Sequence, residues 1–271
     1  MARTVLITGA AGNVGAKLAA HLSTDPRYAL TRMDLKGGPG ILGADLATYS
    51  DDWASEFEGV DTVFHLAGEI RPKASWAQVH RGNVLLTGNV LRASRRAGVR
   101  RVVFASTNQV VGGYRFRDEL VTADLPPAPL NPYGVSKLIC EELGRAFAAE
   151  TGISFIAFRI GNFPPGNEAP GPWLGIGAWG QEMWLSSRDM LNAMERAIEA
   201  ESVDFAVLNL VSDNPGMRWD IEATKRSIGY APRDGHRAEV TDEVAAEDAE
   251  ARASVLIPGS WLDQFGRRLE G

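Results

Sequence analysis

At 271 residues, with a net charge of -6 and a pI near 5.4, the chain is sized for one large α/β domain with a small appended lobe. The acidic balance argues against nucleic acid or an anionic membrane as its main partner. No run of 18 apolar residues offers a membrane span, and the N-terminus enters a strand pattern at Thr4 without a signal-peptide profile, so a cytoplasmic location is expected. The single cysteine, Cys140, excludes an intrachain disulfide and any cysteine-cluster metal site; no metal is expected, and the thiol reads as a packed core group.

The first apolar run, residues 4–7, leads directly into Thr8-Gly9-Ala10-Ala11-Gly12-Asn13-Val14-Gly15, and a helical apolar pattern follows over residues 16–22. Strand, glycine turn and helix in that order let backbone approach a pyrophosphate and aim a helix N-terminus at it. Gly9, Gly12, Asn13, Val14 and Gly15 are therefore dinucleotide-binding candidates. A second strand over residues 29–33 ends in Asp34, about twenty residues past the turn, where a carboxylate accepts from the adenosine ribose and repels a 2′-phosphate. That favours NAD over NADP, with Lys36 as a weak opposing signal. After a third short strand, Asp45 and Leu46 are placed near the adenine, although Asp45 reads equally well as a helix N-cap.

The next buried strand, residues 60–66, ends in Leu66 and closes on Ala67-Gly68, small residues at the strand end where a ligand crosses a parallel sheet. His65 within it reads as a satisfied core residue, and Glu69, Arg71 and Lys73 beyond it as a solvated loop. Residues 82–97 carry a helical pattern with Asn83 near its start. The strand that follows ends in Ser106-Thr107-Asn108-Gln109, a polar cluster that either terminates the strand or meets a substrate.

Asn131-Pro132 then suits a helix start, and Tyr133 and Lys137 fall four positions apart on one face of that helix. A free phenol has a pKa of about 10, and a nearby ammonium is expected to lower it into a useful acid/base range. A strand over residues 154–160 ends in Gly161-Asn162-Phe163. The Gly- and Pro-rich stretch 166–184, holding Trp173, Trp179 and Trp184, reads as a lid or binding loop. Ser187 is the expected cap of a helix over 188–200, a last strand spans 205–211, and the remainder reads as exposed helix and tail.

Together the glycine turn, Asp34, Phe104-Ala-Ser-Thr, Tyr133-x-x-x-Lys137 and Arg159-Ile-Gly-Asn-Phe-Pro resemble the extended short-chain dehydrogenase/reductase superfamily (NAD-dependent epimerases and dehydratases). The resemblance implies a Rossmann-type doubly wound parallel sheet, with an NAD-binding core over residues 1–160 and a small substrate lobe over 161–271 interleaved with it. Within the family the Tyr is the acid/base, the Lys lowers its pKa and holds the nicotinamide ribose, and a Ser/Thr hydroxyl orients the substrate. Carried onto this chain, these roles fall on Tyr133, Lys137 and Thr107; Asn83, Ile160 and Asn162 join the cofactor contacts, and Ser106, Asn108, Gln109 and Asn162 the substrate contacts.

The nearest look-alikes are uronate and small aldose dehydrogenases, which implies oxidation of the anomeric carbon of a free sugar to a lactone. Uronate enzymes carry a histidine where Gln109 stands and a carboxylate-binding arginine in the loop that here spans 166–184 without any arginine; Arg71, Arg188 and Arg218 are the remaining candidates. A nucleotide-sugar epimerase or dehydratase with retained NAD is the alternative, and a non-catalytic NAD-sensing regulatory protein the second. A homodimer through the Tyr/Lys helix is a further family expectation.

Overall fold

The computed structural model describes residues 2–174 and 176–255. Its centre is a seven-stranded sheet in the order β3-β2-β1-β4-β5-β6-β7. The strands are β1 (Arg3–Thr8), β2 (Tyr28–Asp34), β3 (Leu42–Gly43), β4 (Thr62–His65), β5 (Arg101–Thr107), β6 (Ser154–Ile160) and β7 (Phe205–Leu210), all paired in parallel. Because β1 is flanked by β2 on one side and β4 on the other, the order reverses there, and a crevice opens at the carboxyl ends of those strands. The register aligns Thr8 with His65 at that edge.

The central strands are apolar on both faces, and alternate residues feed two separate cores. Val5, Ile7, Phe64 and Ile156 belong to one, Leu6, Val63, Phe104 and Phe155 to the other. Helices α1 (Asn13–Ser23) and α7 (Ser187–Glu199) pack together over the first face. Over the second lie α2 (Asp51–Ala54), the helical run of α3 (Trp76–Val79) and α4 (Leu86–Ala97), and α5 (Pro132–Thr151). Helices α6 (Gly177–Glu182), α8 (Glu222–Ile228) and α9 (Asp242–Val255) complete the described chain.

Several boundaries differ from the sequence reading. The helix expected from residue 82 begins at Trp76, because Ser75 and Gln78 form a reciprocal capping box, and a π-turn over His80–Leu85 joins α3 to α4. Asn83 thus sits inside a helical run rather than at its start. Ser186, not Ser187, caps α7, its hydroxyl accepting from Asp189 N. The C-terminal remainder is not a tail: Trp219, Ile221, Ile228 and Tyr230 are buried in the first core. Within the stretch read as a lid, Trp179 packs on Trp219 at 5.0 Å and Trp184 donates to the Glu168 carbonyl, leaving Trp173 exposed.

One buried ion pair fixes α5 to the sheet. Arg159 on β6 donates from Nε and Nη2 to the two oxygens of Glu141, at 3.0 and 2.8 Å, and both side chains are almost fully buried.

His65 is the satisfied core residue the sequence suggested. It is fully buried between the hydroxyls of Thr8 and Thr87, each 3.0 Å away. Burial pushes its pKa from 6.5 down to about 3, with the Lys137 charge adding to the effect. The unfolded chain therefore takes up the proton first: stability from this group is full above about pH 6.5 and is lost as pH falls toward 3. Between pH 6.5 and about pH 4.5 the loss should approach about 2 kcal/mol. Denaturant midpoints measured across that range should fall for the parent and fall distinctly less for His65→Gln.

Candidate active site

The crevice at the reversal point is a groove of about 1120 Å³. At one wall stands the glycine turn. Gly9 has φ +70°, and a Cβ there would lie 2.6 Å from Ala67 N, so only glycine allows β1 to turn this close to the end of β4. Gly12, Asn13, Val14 and Gly15 continue the wall into the first turn of α1. The Asn13 amide donates to the Phe163 carbonyl, and Lys17 donates to Asn13 Oδ1 and the Pro165 carbonyl, tying this turn to the loop after β6.

Asp34 reaches over the turn from the end of β2, accepting from Ala11 N at 2.9 Å and Leu35 N at 2.8 Å. Asp45 and Leu46 line the same end. Asp45 caps no helix; its carboxylate accepts from Ala47 N and pairs with Arg81 at 2.5 Å. Leu66, Ala67 and Gly68 form the opposite end.

The expected acid/base residues, Tyr133 and Lys137, stand behind Gly68. Asn131 caps α5 by accepting from Gly134 N, Pro132 occupies the first turn, and Tyr133 follows it. Tyr133 and Lys137 share the α5 face that Glu141 holds to the sheet one turn later. Lys137 Nζ donates to the Ala105 carbonyl at 2.8 Å and lies 6.0 Å from the Tyr133 ring centre. A Cβ at Gly68 would come within 2.6 Å of Asn83 Oδ1, so the groove floor is glycine because Asn83 sits directly beneath it, with the Lys137 ammonium 3.4 Å from the same point. Thr107, at the end of β5, stands close enough to the Tyr133 phenol to favour its ionised form, and its hydroxyl accepts from Gln109 N.

The electrostatics correct one expectation. Burial raises the Tyr133 pKa above its usual 10, opposed by the Thr107 hydroxyl, with the Glu69 charge adding to the rise. Lys137 does not reverse this: the low-polarity surroundings that disfavour a phenolate also disfavour the ammonium, whose own pKa is pushed from 10.5 to about 8. The first turn of α5 acts the other way, since a helix N-terminus favours an anion.

Other site candidates are placed as follows. Ser106 faces away from Thr107, as successive strand residues do, and its hydroxyl donates to Glu141 at 2.5 Å; it supports the ion pair rather than a ligand. Asn108 is buried beside it, and Gln109 is half-buried with its carbonyl oxygen held by Asn131. Asn83 is buried behind the groove, accepting from Glu69 N and donating to the Glu69 carbonyl and to Ser136 Oγ. Ile160 packs into the first core, and the Asn162 amide donates to the Gly180 carbonyl. Gly161, Phe163, Glu69, Ile70, Gln78 and Arg81 line the groove without having been singled out as contacts. Of these, Glu69 carried a sequence signal as part of a charged loop, and Gly161 and Phe163 as part of the Arg159-Ile-Gly-Asn-Phe-Pro motif.

Among the described residues no group of three or more His, Cys, Asp or Glu side chains could hold a metal, and no helix is long and apolar enough to cross a membrane.

Comparison with known proteins bears on this geometry. Residues 5–167 match the NAD dependent epimerase/dehydratase family. The chain is similar to an L-arabinose 1-dehydrogenase (NAD(P)(+)) of Haloferax volcanii, 36% identical over 86% of this chain and 97% of that one. An NAD-dependent glucose-6-phosphate dehydrogenase of the same organism is 33% identical over 90% and 97%. Among solved structures, a glucuronic acid dehydrogenase from Chromohalobacter salexigens superposes with a TM-score of 0.75 at 26% identity, covering 100% of this chain and 98% of that one.

Lys137 yields a stability test. Its folded pKa of about 8 lies below the ordinary 10.5, so the unfolded chain binds more protons between those values and stability rises with pH across that window. Below pH 8 the fold carries the cost of a buried ammonium. Lys137→Met should therefore raise the unfolding free energy at neutral pH, by about 1–3 kcal/mol, and flatten the rise above pH 8. Denaturant unfolding of the cofactor-free protein checks both.

Proposed function

The chain belongs to the NAD dependent epimerase/dehydratase family, and from that premise we propose that it is an NAD-dependent dehydrogenase oxidising C1 of a free sugar to a lactone. The observation that carries the reading is the junction at Gly68, where a dinucleotide-sized groove ends over Lys137, whose ammonium lies 6.0 Å from the Tyr133 ring centre.

The residues fit NAD. Gly12 leaves open backbone at the start of α1 for a pyrophosphate, Asp34 presents a carboxylate at the ribose end, and Leu46 supplies an apolar wall for the adenine. Gly15, Val14, Asn13, Leu66 and Ala67 complete that cradle, and Lys137 lies where it would meet the nicotinamide ribose. When bound, the nicotinamide supplies the hydride acceptor for C1.

The chain's own residues manage the proton. Thr107 holds the C1 oxygen and Tyr133, as phenolate, takes its proton. Lys137, fixed by the Ala105 carbonyl, balances the charge of the phenolate until the proton arrives. Burial holds this machinery away from bulk water, which strengthens each interaction while making the phenolate harder to form. Asn108 and Gln109 follow Thr107 in the chain and, with Asn162, would meet sugar hydroxyls.

A free sugar is supported over a nucleotide-sugar by the relatives' activities and by the fate of residues 161–255. These return to the sheet as β7 and to the first core through α7, rather than building a large separate lobe. A homodimer through α5 belongs to the same reading.

Tyr133→Phe should lower turnover by about 10²–10⁴-fold while NAD affinity stays within about threefold, read from NADH absorbance and cofactor titration. Because the Tyr133 pKa is raised, parent turnover should climb with pH between about 7 and 9. Turnover by the Phe variant within tenfold of the parent would contradict the role given to Tyr133.

A further inference from the structure

The groove's charge is one-sided. Asp34, Asp45 and Glu69 line it against a single arginine, Arg81, which is already paired with Asp45. Asp34 and Asp45 stand at one end, whereas Glu69 follows Gly68 directly and so borders the catalytic residues. Its charge reaches the Tyr133 phenol.

Glu69 is also held rigidly. Asn83 grips its backbone from both sides, at 2.9 and 3.1 Å, and the side chain is only 17% exposed. Arg71 clamps the carboxylate through Nε at 2.9 Å and Nη2 at 2.6 Å, which holds it in the ionised form. The π-turn that carries Asn83 therefore fixes a carboxylate at the mouth of the acid/base site.

Among the described residues each arginine candidate for a substrate carboxylate is already paired, and the exposed Lys73 is the remaining cation of the Glu69 loop. Of the arginines that could receive a substrate carboxylate, Arg71 is spent on Glu69, Arg188 on Asp234 and Arg218 on Glu182. Gln109, beside Thr107, is neutral, and with its carbonyl taken by Asn131 it has only amide N–H groups left to donate.

We infer that Glu69 is a specificity-determining residue that selects a neutral aldose over a uronate or a sugar phosphate, an inference that rests on the dehydrogenase reading above. A sugar with C1 at Tyr133 keeps every ring substituent within one ring's width of Glu69. Two like charges about 6 Å apart in a partly buried site repel strongly enough to change affinity on the order of a hundredfold. A neutral sugar instead presents hydroxyl donors that an ionised carboxylate accepts well.

The test is a matched ring series followed by NADH absorbance. L-arabinose, D-galactose and D-galacturonate share one ring and differ only at C5, which carries hydrogen, hydroxymethyl or carboxylate; D-xylose, D-glucose, D-glucuronate and glucose 6-phosphate form the second series. The parent should show kcat/KM at least tenfold higher for the neutral members, and added salt should narrow that gap. Glu69→Gln, which frees Arg71, should shrink the neutral-to-acidic ratio at least tenfold, and Arg71→Gln, which leaves Glu69 uncompensated, should widen it. A parent that prefers the acidic members, or a ratio indifferent to Glu69→Gln and to salt, would overturn the inference. NADH from no free sugar at all would instead overturn the dehydrogenase reading beneath it.

Discussion

Everything catalytic in this molecule depends on one buried contact, the Glu141–Arg159 pair. Tyr133, Lys137 and Glu141 follow one another down a single face of α5, so the pair fixes the rotation and height of the whole helix against β6. Ser106 adds a third hydrogen bond from β5, making the anchor a junction of three elements. A buried ion pair contributes little net stability over an apolar one, but losing one partner strands the other charge, which typically costs about 3–5 kcal/mol. Its value here is positional: it holds the α5 face that carries the phenol and the ammonium against β6.

The site is built against the preferences of the fold around it. An ammonium and a phenol lie almost fully buried, and a neutral imidazole is wedged beside them between two threonines. Each of the three titrates away from its ordinary value chiefly because it is buried; the nearby charges add to the shift for the imidazole and the phenol and oppose it only for the ammonium. Perturbation of this kind, concentrated where a groove meets a helix N-terminus, is the physical mark of an active site. His65 shows the limit of that rule, since its shift comes from packing rather than from chemistry.

Much of this was legible in the sequence because it rests on local rules. The glycine turn, Asp34, the capped Tyr/Lys helix and the core role of His65 follow from spacing, and the strands from apolar runs. What escaped depended on contacts distant in sequence. Ser106 and Thr107 read alike until strand alternation turns one to Glu141 and the other to Tyr133. Asn83 looked like a cofactor contact, but a π-turn, which has no sequence signature, aims it at Glu69 and Ser136. The tryptophans of the 166–184 stretch suggested a lid, yet Trp179 finds Trp219, which the sequence places in an apparent tail. The direction of the Tyr133 shift was missed because a spacing shows that an ammonium is near and says nothing of how dry the site is.

The most direct test of the account follows one hydrogen atom. An aldose deuterated at C1 would be turned over with NAD, and both the NADH and the sugar product analysed by mass spectrometry. The account predicts deuterium in the NADH and an aldonolactone as product. Unlabelled NADH, or tightly retained cofactor that releases no net NADH while a nucleotide-sugar is epimerised, would contradict it.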